Sequence, residues 1–243
     1  MKVILDRAKL RRRAAAAHIA SLGGLAIILG AVVLSMSRPD WAALTAGLIF
    51  AGFVISSAGI FFANRWVKRP RPEETLSLAL KGLADPARIY HYLLPADHVL
   101  LTPSGVVVIE TVNLEGRFVY RDGRWKQHMT LGRALRFFVE ETFGDPTARA
   151  RADAQRIGRL LDERLPSDGP AVPVYAVVLF VHPNSEVSAD SPPIPACQPA
   201  QLRKRLPSHL PKLPPARFEQ ARAALDELAG VRAIADRAQL GTT

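Results

Sequence analysis

The chain has 243 residues, with 32 Lys and Arg against 22 Asp and Glu and a net charge of +10. Its one cysteine, Cys197, excludes an intramolecular disulfide and a cysteine-built metal site. The charge favours an anionic partner, nucleic acid or an acidic lipid surface; the length allows one or two domains.

Residues 1–13 carry Lys2, Arg7, Lys9, Arg11, Arg12 and Arg13 and read as a basic cytoplasmic N-terminus. Ala14 to Met36 is apolar apart from His18 and a few serines, roughly 23 residues, enough to cross a bilayer as a helix. Ser37-Arg38-Pro39-Asp40 reads as a turn and Trp41 to Ala63 as a second span, so residues 14–64 form a transmembrane helical hairpin. A signal peptide is the competing reading of the first run. That run exceeds the usual roughly 7–15 apolar residues and a second span follows at once. Six cations before the first span and four after the second (Arg65, Lys68, Arg69, Arg71), against Arg38 in the turn, predict a multi-pass protein of the inner (plasma) membrane. Both termini and the soluble domain are then cytoplasmic. The linker, residues 65–72, is expected to lie against anionic head groups. Ala43, Gly47 and Ala51, and again Gly52 and Ser56, recur every four residues. They are expected to pack the two spans together, homo-oligomerisation being the other use of such a face.

Glu73 to Leu83 reads as a helix with Leu76, Leu80 and Leu83 on one stripe. Strands follow at Arg88–Leu94, Asp97–Thr102, Val106–Val112, Arg117–Arg121 and Arg124–His128. Pro103-Ser104-Gly105 and Asp122-Gly123 mark turns, so an antiparallel meander is predicted. The run Val106–Ile109 marks a strand buried on both faces. Glu110 near its end is costly there unless paired or cation-bound. With Asp97 at the head of the preceding strand it suggests a metal-dependent site; the alternative is two solvated strand-end acids. Alternation puts Val112 on the face of Glu110 and turns His98 away from Asp97.

Met129 to Phe143 is weakly patterned, a helix or a cover over the sheet. Asp145-Pro146 starts a helix that runs to about Leu165. Ala150, Ala154, Ile157, Leu160 and Leu161 form its apolar face. Arg149, Arg156 and Arg159 lie on the rest, either simply solvated or in contact with a nucleic-acid backbone. Val172 to Val181 is a buried strand whose partner is parallel, because a helix precedes it. Ser185 to Pro199 is a loop with a short edge strand at Ile194–Cys197; Pro199–Leu206 and Pro215–Leu240 are helices.

Helix, three-stranded meander, helix and strand, with acids at the helix start, at the head of one strand and near the end of the next, resemble the PD-(D/E)XK nuclease core. Residues 73–206 resemble, more narrowly, the nuclease-related domain called NERD. The resemblance is carried by the first helix, DHVLLTPSGVVVIET, Gly116, Trp125, Asp145-Pro146 and VVLFVHP. It implies an α/β fold of α+β type, a mixed-sheet nuclease-like core; the transmembrane hairpin precedes this core, and residues 207–243 read as a C-terminal helical extension. It also implies Asp97 and Glu110 as ligands of Mg²⁺ or Mn²⁺, assisted by Glu73 or Glu74. Two residues past the glutamate the family's active members carry a lysine that positions the attacking water. This chain has Val112 there, and Arg149 where a helix glutamine is usual. Lys81 and Lys126 are the candidates to fill the gap. Loss of a positioned cation is expected to cost about 3–4 kcal/mol of transition-state stabilisation. A nucleic-acid-associated domain with weak or lost cleavage is therefore expected. An active metal-dependent nuclease using Asp97 and Glu110, and a protein-interaction module at the membrane, stay open.

Overall fold

The computed structural model describes residues 1–66, 70–128, 143–207 and 210–231. The stretch from Met129 to Thr142 and the chain beyond 231 lie outside the described residues, and with them the sequence reading of 129–142 and of the last helix beyond that point. The chain divides into a helical unit, Arg7–Arg71, and a sheet-bearing unit built from Met1–Asp6 and the described residues from Pro72 onward.

The helical unit is a hairpin of α1, Arg7–Ser37, and α2, Ala42–Trp66, joined by a 3-10 turn at Pro39–Trp41. Both helices are long and apolar enough to cross a membrane. Leu10, Ala17, Gly24 and Ala31 of α1 are buried at a spacing of seven, the period of a helix seam. Gly52 and Ser56 of α2 face that seam: a Cβ on Gly24 would meet the Ser56 backbone, and one on Gly59 the Ser21 backbone. The Ser56 hydroxyl donates to the Ser21 carbonyl at 3.2 Å. The two small-residue sets of α2 thus part company, since Gly47 has nothing within 4 Å and Ala43 and Ala51 are exposed. Ile19, Leu22, Leu29, Val33, Phe50, Phe53 and Phe62 point outward, as lipid contact would require.

The other unit is a mixed α/β fold. Its main sheet contains β1 (Lys2–Leu5), β2 (Arg88–His91), β3 (His98–Thr102), β4 (Gly105–Val112), β7 (Val174–Phe180) and β9 (Ala196–Cys197), in that spatial order. β2, β3 and β4 are the expected antiparallel meander. The β3–β4 turn needs Gly105: at φ 132° its backbone lies where any Cβ would meet the Pro173 carbonyl. β7 lies parallel to β4, with Glu110 opposite Val178 and Val112 opposite Phe180. Helix α4, Pro146–Arg164, makes the crossover.

The meander does not continue past β4. That strand already has β3 on one edge and β7 on the other, so β5 (Gly116–Arg121) has no free edge there. It forms a second sheet instead, antiparallel to β6 (Arg124–His128) and parallel to β8 (Ser185–Ala189). Asp122 and Gly123 join β5 to β6 with φ of 56° and 74°, the left-handed pair such a hairpin turn requires.

Helices cover both faces of the main sheet. Ile157 and Leu161 of α4 pack with Val99, Leu101, Val106 and Val108. Phe218, Ala221 and Leu225 of α6 (Pro215–Leu228) join the same cluster. Asp226 of α6 accepts from Arg88 and from the Tyr90 hydroxyl, each at 2.7 Å. Leu76 and Leu80, in and just after α3 (Pro72–Ala79), pack on the other face with Ile89, Leu100, Val107 and Ile109. Leu202 of the short helix α5 (Leu202–Arg205) joins them. The segments read from sequence as a basic tail and a C-terminal extension thus supply β1 and α6 to this fold.

Candidate functional site

The candidate site lies at the end of β4, on the sheet face covered by α4. Pairing puts Val99 opposite Val108, so Asp97, two residues before Val99, shares a face with Glu110, two residues after Val108. Asp97 sits at the head of β3, half-buried, and its carbonyl accepts from the Tyr92 amide at 2.7 Å. Glu110 is held by α4. Asp145 caps that helix, its carboxylate accepting from the Thr147 and Ala148 amides at 2.9 and 3.1 Å. The cap sets the start of α4 and so places Arg149 one turn in. Arg149 Nε donates to Glu110 Oε1 at 2.6 Å, and its Nη1 to the Phe143 carbonyl at 3.0 Å.

Asp153, one helical turn beyond Arg149, is a third carboxylate of this site. Burial pushes the Glu110 carboxyl above its ordinary value; Arg149 opposes the shift, and the charges of Asp97 and Asp153 add to it. Burial likewise raises Asp153, with Arg156 pulling it down and Asp97 pushing it up. Arg156 Nη1 lies 3.2 Å from Asp153 and donates to the Pro95 carbonyl at 3.4 Å. Three acids therefore share the site with two arginines. Arg149, Asp153 and Arg156 stand at i, i+4 and i+7 from one another, one face of a helix; that spacing could have found Asp153 from sequence. Of the three arginines considered for nucleic acid, Arg149 and Arg156 hold carboxylates, and Arg159 is exposed.

The other sequence candidates lie elsewhere. Glu73 is buried on α3, and its Oε2 accepts from the Tyr92 hydroxyl at 3.1 Å. Glu74 is exposed. Lys81 follows α3 in a turn whose carbonyl accepts from Arg203, and Lys126 is exposed on β6. Val112 is 3% exposed and packs with Phe118, Phe143 and Phe180. These rings stand 4.7–6.3 Å apart, with Trp125 beside them. Trp125 Nε1 donates to Thr147 of α4 at 2.6 Å.

Residues 72–181 match the family model described as the nuclease-related domain, NERD. No curated protein and no solved structure matches the chain. The NERD match runs from α3 to the end of β7, which is the helix, meander, helix and strand described above. β1, β8, β9 and α6 lie outside it.

The divalent cation that such a fold implies does not fit the NERD site as it stands. A hard cation wants several oxygen donors around it. Glu110 Oε1 is committed to Arg149, Val112 offers no donor, and among the described residues no group of three or more His, Cys, Asp or Glu could hold a metal. What the arrangement can do is present a guanidinium, held at two points and half-exposed, beside a partly buried carboxylate.

Proposed function

We propose that this chain is a membrane-anchored NERD protein whose domain faces the cytoplasm, associates with nucleic acid and has weak or lost cleavage activity. One observation carries the reading: at Glu110 the cation is Arg149, while the position of the motif lysine, Val112, is part of an aromatic core. A side chain packed among three phenylalanines cannot orient a water. The anchor is supported by two adjacent apolar helices with outward-facing large side chains. β1 before the hairpin and β2 after it pair in one sheet, which supports a hairpin with both ends on one side of a bilayer. The same pairing argues against removal of the first helix as a signal peptide, since cleavage would take β1 with it. The cations flanking the hairpin favour the cytoplasmic side. The net charge of +10 and exposed Arg151 and Arg159 of α4 support a polyanion partner.

The test uses the full chain in lipid nanodiscs with labelled single- and double-stranded DNA and RNA. Binding that weakens steeply with salt is expected, with no Mg²⁺- or Mn²⁺-dependent cleavage above the level of an Asp97→Ala, Glu110→Ala double variant. Metal-dependent cleavage that either single alanine variant abolishes would establish the active nuclease instead. Absence of salt-dependent binding to any of these nucleic acids would leave the protein-interaction reading.

A further inference from the structure

We propose that Arg149 is the resident cation of this NERD site, a side chain that occupies the place of a divalent ion and keeps such ions from Glu110. The geometry points to a fixed rather than a passing contact. The Nε–Oε1 distance of 2.6 Å is that of a short, charge-assisted bond. The second bond, to the Phe143 carbonyl at 3.0 Å, ties the same guanidinium to the residue pair before the helix cap. Both ends of the contact are anchored by backbone: Glu110 by β4 between two strands, Arg149 by the capped first turn of α4. The Glu110 side chain is 15% exposed and that of Arg149 45%, so water screens the pair from the arginine side while the carboxylate stays largely covered.

Charge makes the exclusion effective. A divalent ion at Glu110 would face the Arg149 guanidinium at close range and would have to displace it. Displacement would break both guanidinium bonds and strip a proton donor from a carbonyl. Arg149 also compensates part of the repulsion among Asp97, Glu110 and Asp153, the role a metal has where carboxylates converge. The site is therefore complete without a metal.

This inference rests on the reading of Glu110 as the site's carboxylate, and not on nucleic-acid binding. Its probe is Mn²⁺ alone, so its failure is distinct from a failure to bind DNA or RNA. Free Mn²⁺ is followed by electron paramagnetic resonance against the full chain in nanodiscs. The wild-type chain is expected to show no saturable site below about 1 mM that Glu110→Gln removes. Arg149→Gln and Arg149→Met are each expected to bind one Mn²⁺ at least about tenfold more tightly than wild type, and Arg149→Gln combined with Glu110→Gln to lose it again. A wild-type site that Glu110→Gln removes overturns the proposal. So does a pair of cooperatively melting Arg149 variants that bind Mn²⁺ no better than wild type. If neither Arg149 variant folds, the wild-type and Glu110→Gln titrations still decide between exclusion and binding.

Discussion

Two residues to which the nuclease resemblance gives no role carry testable chemistry. His91 and His98 face each other across β2 and β3, fully buried, with Nδ1 atoms 2.8 Å apart. Burial depresses the His91 imidazole from 6.5 to about 4. The unfolded chain therefore takes up this proton first as the pH falls. The folded state loses stability progressively from pH 6.5 down to about 4, by about 3 kcal/mol at the lower end. Urea midpoints at pH 7 and pH 4.5 measure this, with His91→Gln as the reference. A slope unchanged in that variant would remove His91 as its cause. Val112 gives the second prediction. Restoring the family's lysine there places an ammonium among Phe118, Phe143 and Phe180. Val112→Lys is expected to cost about 3 kcal/mol or more and to restore no cleavage. A stable, cleaving variant would show that the aromatic core yields to the side chain. At this scale the sequence was readable where the signal was local. Asp145-Pro146 named its own cap, and alternation along β4 put Val112 on the face of Glu110. The Arg149–Glu110 pair spans 39 residues, and no spacing rule places the tips of two side chains that far apart in the chain.

Elements were legible in proportion to their burial. β4 and β7 run through the centre of a covered sheet and read as unbroken apolar stretches. β8 is half solvated, with a burial pattern that alternates along Ser185–Ala189, and among prolines and serines it passes for loop. The second sheet was missed for a different reason. The strand character of β5 and β6 is plain in the sequence, but only the parallel seating of β7 leaves β4 without a free edge. In the helical hairpin the buried seam is made mostly by small residues, Ala17, Gly24 and Ala31 against Gly52 and Gly59, so its packing should be sensitive to one methyl group. Gly59→Val puts atoms where the Ser21 backbone lies and is expected to push α1 and α2 apart by about 2 Å or more. Spin labels at Leu25 and Phe50, both exposed, read the separation by dipolar spectroscopy. An unchanged distance would mean that the helices touch elsewhere.

For the whole molecule the informative feature is β1. Four residues beside a basic run look like a tail, because a single short strand has no periodicity long enough to detect. Yet Ile4 is 5% exposed and shares a core with Tyr90, Leu101 and Ile157. Ile4→Asp is expected to release the strand at a cost of about 3 kcal/mol. Amide hydrogen exchange across β2 should then rise while that of β7 holds. Equal protection of β2 in the variant and wild type would show that the pairing contributes nothing. The same strand also dictates an order of assembly. β1 leaves the ribosome about 85 residues before its partner β2, roughly 4–17 s earlier at 5–20 residues per second. Both apolar helices emerge in that interval. The nascent β1 must wait, unpaired, while the hairpin finds its surroundings, and only afterwards can the sheet close over it. A chain stalled before Arg88 would therefore display a committed hairpin with an open strand at its root, a species that ribosome-bound pulse labelling can capture.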